Sequence, residues 1–108
     1  MIHKLKKISL FFNIEDALLE KISSFSFIKS YLKDEIIFFE GEENKYFYGI
    51  VKGQVLMYDT DLKGNIIPKN QFGCGDIFGL ISKIQNKPYC LNAKTEEETE
   101  IIAIDYEK

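Results

Sequence analysis

The chain has 108 residues, enough for one domain with a true core. Its composition, 45% hydrophobic and 29% charged, is that of an ordinary globular protein. The net charge is −3, which argues against a phosphate-backbone grip by these residues alone, and all 14 positive charges are lysines.

There is no apolar run of about 18 residues, so no membrane-spanning helix is expected. The basic start, Met1 to Lys7, precedes an apolar run (Ile8 to Phe12) too short for a secretory leader, and a cytoplasmic protein is expected. Asn13 is a candidate N-cap, with Glu15 and Asp16 in the first turn. Ala17, Leu18, Leu19, Ile22 and Phe25 follow at helical spacing, which predicts a helix over Ile14 to Ser24. Phe11 and Phe12 before the cap suit a hydrophobic staple.

From Phe27 the apolar period changes to that of strands. Strands are predicted over 27–32, 36–39, 46–51, 54–59, 66–69, 91–95 and 99–106. Polar or glycine-bearing turns separate them, among them Lys52-Gly53 and Asp61 to Asn65. Turn signals about every 8–12 residues point to a small all-β sandwich or barrel. Phe38, Phe39, Phe47 and Phe78 are expected in its core. The acidic run Glu96 to Glu100 is read as a solvated turn.

One stretch stands apart. Gly73-Cys74-Gly75-Asp76-Ile77-Phe78-Gly79-Leu80-Ile81 places three glycines within seven residues, before a short apolar run. A tight corner and then one helical turn are expected. The start of such a turn offers N–H groups to an anion. A small-molecule site, if present, is expected here and along Lys83 to Thr95.

No catalytic constellation is visible. The one histidine, His3, falls in a terminus expected to be mobile, and nucleophilic triads need a histidine beside the nucleophile. Cys74 and Cys90 form no CxxC pair and read as ordinary reduced thiols, Cys74 partly exposed and Cys90 more buried. No metal ligand set and no particular cofactor is indicated.

Four segments together resemble the N-terminal sensor domain of the Crp/Fnr transcription-regulator superfamily. Lys33 to Glu42 is similar to its K-x-E-x-I-F-x-E-G-[DE] strand and turn. Tyr46 to Val55 is similar to its Y-F-I-x-x-G-x-V hairpin, and Gly73 to Gly79 to its G-x-G-D-x-F-G corner. Ala93-Lys94-Thr95 with Glu100 to Ile104 is similar to the closing strand pair. The implied fold is mainly β, a double-stranded β-helix or jelly roll of about eight strands over residues 1–108, with an N-terminal helix and a short helical turn after the corner.

The resemblance implies a non-enzymatic, effector-sensing domain. In the corner and the segment after it, Gly75, Gly79, Leu80, Ile81, Lys87, Tyr89 and Cys90 are the candidate ligand-site residues. Nucleotide-binding members carry a ribose-holding glutamate where Leu80 stands, and a phosphate-holding arginine that alignment on Ala93-Lys94-Thr95 puts at Lys87-Pro88. Lysine does not reproduce a bidentate guanidinium, and leucine accepts no hydrogen bond. Tight cyclic-AMP binding is therefore not expected, and the effector is an unidentified small molecule. The alternatives are a nucleotide-binding domain with a degenerate phosphate site and a ligand-free interaction module.

An iron–sulfur sensor needs more cysteines, and a cupin-like metalloenzyme needs two or three histidines. Relatives continue into a dimerisation helix and a helix-turn-helix, so this chain is expected to be a piece of a longer homodimeric regulator that meets DNA only through that missing part.

Overall fold

The computed structural model describes residues 1–105, without the side chain of Lys83. Among the described residues, eight strands form two four-stranded antiparallel sheets, the expected jelly roll. The first sheet runs in the order β1 (Ser26–Tyr31), β8 (Thr99–Ile104), β3 (Phe47–Lys52), β6 (Ile77–Phe78). The second runs β2 (Ile36–Phe38), β7 (Asn92–Thr95), β4 (Val55–Thr60), β5 (Ile66–Phe72).

Period-two alternation divides the apolar side chains between two cores. On β3, Tyr48 and Ile50 point between the sheets, while Phe47 and Val51 point outward. On β8, Ile101 and Ala103 face inward, and Ile102 and Ile104 outward. The outward set is buried by the N-terminal segment: α1 (Ile2–Leu5), a 3₁₀ turn (Ser9–Phe11) and α2 (Asp16–Ser24). Leu5, Ile8 and Leu19 are fully buried there. Both faces of the first sheet are therefore apolar, which is why β3 and β8 lack a clean polar alternation.

Several local expectations are corrected. Asn13 is not the N-cap; it takes a left-handed conformation (φ 66°), and α2 starts at Asp16 behind an extended Glu15 with no side-chain cap. Phe11 is buried but Phe12 is 73% exposed, so one ring of the supposed staple packs. His3 lies within α1, which Leu5 anchors, not in a loose end. Phe39 is 52% exposed because β2 stops at Phe38 and the chain turns. β5 extends to Phe72, past the predicted Lys69, with a register shift that passes over Lys69 between Pro68 and Asn70. Of the last predicted strand, Tyr106 lies outside the described residues.

The glycine corner is laced to β3. The Gly75 N–H donates to the Ile50 carbonyl (2.8 Å) and the Ile50 N–H donates to the Asp76 carbonyl (3.0 Å). The Asp76 carboxylate accepts from the Gly73 N–H (2.8 Å), so that acid shapes the turn itself. β6 follows, and then α3 (Leu80–Ile84).

Candidate ligand site

Gly79 joins β6 to α3 with φ 81°. A Cβ there would sit 3.4 Å from the Tyr48 ring and 3.5 Å from the Tyr89 ring, so the left-handed backbone, more than space, is what asks for glycine. From this joint α3 leaves the roll beside a cavity of about 530 Å³, within the usual size range of ligand sites. Leu80 and Ile81 form its α3 wall, and Met57 and Phe72 its hairpin wall. Phe78 and Leu91 also line it, with Leu10 contributed by the N-terminal segment. The polar lining consists of Asn70, Ser82 and Cys90, and the Ser82 hydroxyl donates to Cys90 Sγ at 3.6 Å. No charged side chain among the described residues lines this cavity.

Next to it the roll is solid. The Tyr89 ring stacks on Phe38 (centroids 3.7 Å apart, planes 6° apart), and Tyr48 stacks on Phe78 at 5.1 Å. Phe38 and Tyr48 join the two pairs at 5.8 Å. Backbone bonds fix Tyr89: its N–H donates to the Glu42 carbonyl (3.2 Å), and its carbonyl accepts from the Gly41 N–H (2.8 Å). The Tyr89 hydroxyl donates to the Tyr46 carbonyl (2.9 Å) and lies 3.3 Å from the Tyr48 hydroxyl. A phenol has one hydrogen to give. With that of Tyr89 on the carbonyl, Tyr48 supplies the hydrogen between the two rings. Burial first, and then this bond to Tyr89, hold the Tyr48 phenol well above its ordinary range. Burial also pushes Tyr89 and Tyr31 up.

The structure separates the residues that the sequence grouped. Gly79, Leu80, Ile81 and Cys90 share the cavity. Gly75 does not reach it; its Cα side faces the Lys7 carbonyl and Ser9 in the N-terminal segment. Lys87 opens onto a separate polar depression with Glu43, Lys45 and Asp105. Tyr89 is buried in the aromatic stack. Cys90 is exposed, as is Cys74, which corrects the expectation that Cys90 is the more buried of the two. β7 begins only at Asn92, and strand parity carried back from Ala93 turns Leu91 and Tyr89 inward and leaves Cys90 out. Sequence reasoning missed Met57, Asn70, Phe72 and Ser82. Three of the four come from the β4–β5 hairpin, whose register sets Met57 opposite Asn70 and Val55 opposite Phe72.

The model of the cyclic nucleotide-binding domain matches residues 28–108, three quarters of the chain. The chain belongs to this family. No curated protein matches its sequence. Among solved structures, the regulatory subunit of a cAMP-independent protein kinase A from Trypanosoma brucei superposes with a TM-score of 0.85 at 19% identity, covering 96% of this chain and 38% of that one. The N-terminal domain of a transcriptional regulator from Streptomyces coelicolor gives 0.81 at 17% identity, covering 96% and 74%. The EAL enzyme Bd1971, in a half-site-occupied form, gives 0.71 at 32% identity, covering 76% and 73%. The chain spans 46% of the length of a Ruegeria pomeroyi protein with the same fold.

Within this cyclic nucleotide-binding domain, the β-roll matches its relatives while the cavity is apolar. No helix among the described residues is long and apolar enough to cross a membrane. No group of three or more His, Cys, Asp or Glu among them is placed to hold a metal ion.

Proposed function

We propose that this domain is the non-catalytic, effector-sensing part of a cytoplasmic regulator of the Crp/Fnr type, and that neither cyclic AMP nor cyclic GMP is its tight ligand. One observation carries the reading: Leu80, directly after Gly79, forms part of an apolar wall in a cavity with no charged described lining, while Lys87 faces another depression. Leu80 stands where the resemblance places a ribose-holding glutamate. Losing that contact and a bidentate phosphate contact weakens binding by about 3–5 kcal/mol, or from about a hundredfold to several thousandfold. A regulator on this fold need not answer to cyclic AMP: the Trypanosoma subunit belongs to a protein kinase A described as cAMP-independent. DNA contact and homodimerisation then belong to other parts of the regulator. Gly79, Leu80, Ile81 and Cys90 are the residues proposed to meet the effector.

A second reading, a nucleotide-binding domain with a degenerate phosphate site, is favoured by the Bd1971 likeness at 32% identity, because that enzyme has a form described as cAMP-bound. Isothermal titration separates the two. The first reading expects dissociation constants weaker than about 100 µM for both nucleotides. Binding at a few micromolar or tighter supports the second.

A further inference from the structure

We infer that the cavity beside α3 takes a neutral, mainly apolar ligand with one carbonyl-type oxygen, which Ser82 and Cys90 hold by hydrogen bonds. This rests on the reading that the effector is not a cyclic nucleotide.

Three features of the cavity lead there. Its volume, about 530 Å³, is ligand-sized, and its walls are chiefly Met57, Phe72, Phe78, Leu80, Ile81 and Leu91. Such walls reward removal of apolar surface from water. A carboxylate or phosphate placed there would lose hydration without a compensating cation among the described lining residues, which disfavours a charged ligand.

The polar groups then select the head. Ser82 is 7% exposed, and its hydroxyl donates to the Cys90 sulfur across 3.6 Å. Sulfur is a weak acceptor, so a ligand carbonyl oxygen is the better partner for that hydrogen. Freed of that bond, the Cys90 thiol offers a second, weak donor to the same oxygen. Two neutral donors side by side in the lining of an apolar cavity match a ketone, ester or lactone oxygen. They do not neutralise an anion.

The chain is tested by fluorescence titration with N-phenyl-1-naphthylamine, followed by displacement with 2-decanone, decanoate and cyclic AMP. The expected result is saturable binding of one probe per chain, displaced by 2-decanone and at least about tenfold less well by decanoate. Ile81→Asp changes a side chain that is 73% exposed, so it keeps the fold and should weaken both probe and ketone at least about tenfold. Ser82→Ala should weaken 2-decanone about threefold to tenfold and leave the probe unchanged. Decanoate displacing as well as the ketone, unchanged ketone binding in Ser82→Ala, or unchanged probe binding in Ile81→Asp would each overturn the inference. So would exclusion of the probe by self-association, which would show a second copy covering the cavity. If ketone and cyclic AMP both fail, this inference falls and the proposed function stands. Displacement by micromolar cyclic AMP overturns both.

Discussion

The aromatic centre of the roll and the cavity beside α3 share one ring, Phe78, and differ in almost everything else. Phe78 stacks on Tyr48 at 5.1 Å on one side and lies 6.0 Å from Phe72, a cavity residue, on the other. On the closed side, Phe38, Tyr48, Phe78 and Tyr89 fill the space between the sheets, and the hydroxyls satisfy one another and the Tyr46 carbonyl. On the open side, apolar walls flank space that, among the described residues, only three uncharged polar ones share. Filling the first region with rings makes a rigid floor. Leaving the second unfilled preserves a place for a ligand, but not one suited to a phosphate.

The comparison breaks most readily at Phe38. It is 2% exposed and stacked face to face on Tyr89, so Phe38→Ala should cost about 3–5 kcal/mol in urea unfolding. A loss below about 1 kcal/mol would mean that the stack is not the structural centre. Gly79 joins the two regions. Its space tolerates a methyl group but its φ of 81° does not suit one, so Gly79→Ala should cost about 1–2 kcal/mol and disturb the cavity more than the stack. Wild-type stability with altered probe binding would sharpen that division, whereas loss of both would blur it.

Tyr48 gives the closed side a pH signature. Its proton is held more tightly in the folded chain than in the unfolded one. Its contribution is therefore complete below about pH 10 and is lost as the unfolded phenol ionises above that. Tyr48→Phe should cost about 1 kcal/mol at neutral pH and flatten the fall in stability between about pH 10 and 12. Parallel pH curves for the two proteins would remove Tyr48 from the account. The smallest effect is expected on the open side, where Ile81→Asp should change stability by no more than about 0.5 kcal/mol. Cooperative unfolding several degrees lower would show that the α3 wall belongs to the core.

The order of strands was legible because turns, β-branched runs and the glycine corner punctuate the chain plainly. The N-terminal segment was less so. Ile8 and Leu5 are buried against the outer face of a sheet that the residues themselves gave no sign of covering, and Asn13 adopts φ 66° where cap chemistry suggested otherwise. The cavity was half legible. Gly79, Leu80, Ile81 and Cys90 follow from the corner, but Met57 and Phe72 arrive from a hairpin whose register only the folded sheet displays. Tyr89 was grouped with the site by nearness in sequence, whereas strand parity turns it into the stack. Spacing reports which face a residue takes only once the start of its strand is known, and Cys90 lies just before that start.

Amide-resolved NMR during addition of cyclic AMP tests the central claim most directly. With nucleotide raised to about 10 µM, the account predicts that the Gly79, Leu80, Ile81 and Cys90 amides stay in place, because the apolar cavity gives phosphate and ribose too little to hold. Saturating shifts at those four amides with a midpoint of a few micromolar would contradict it.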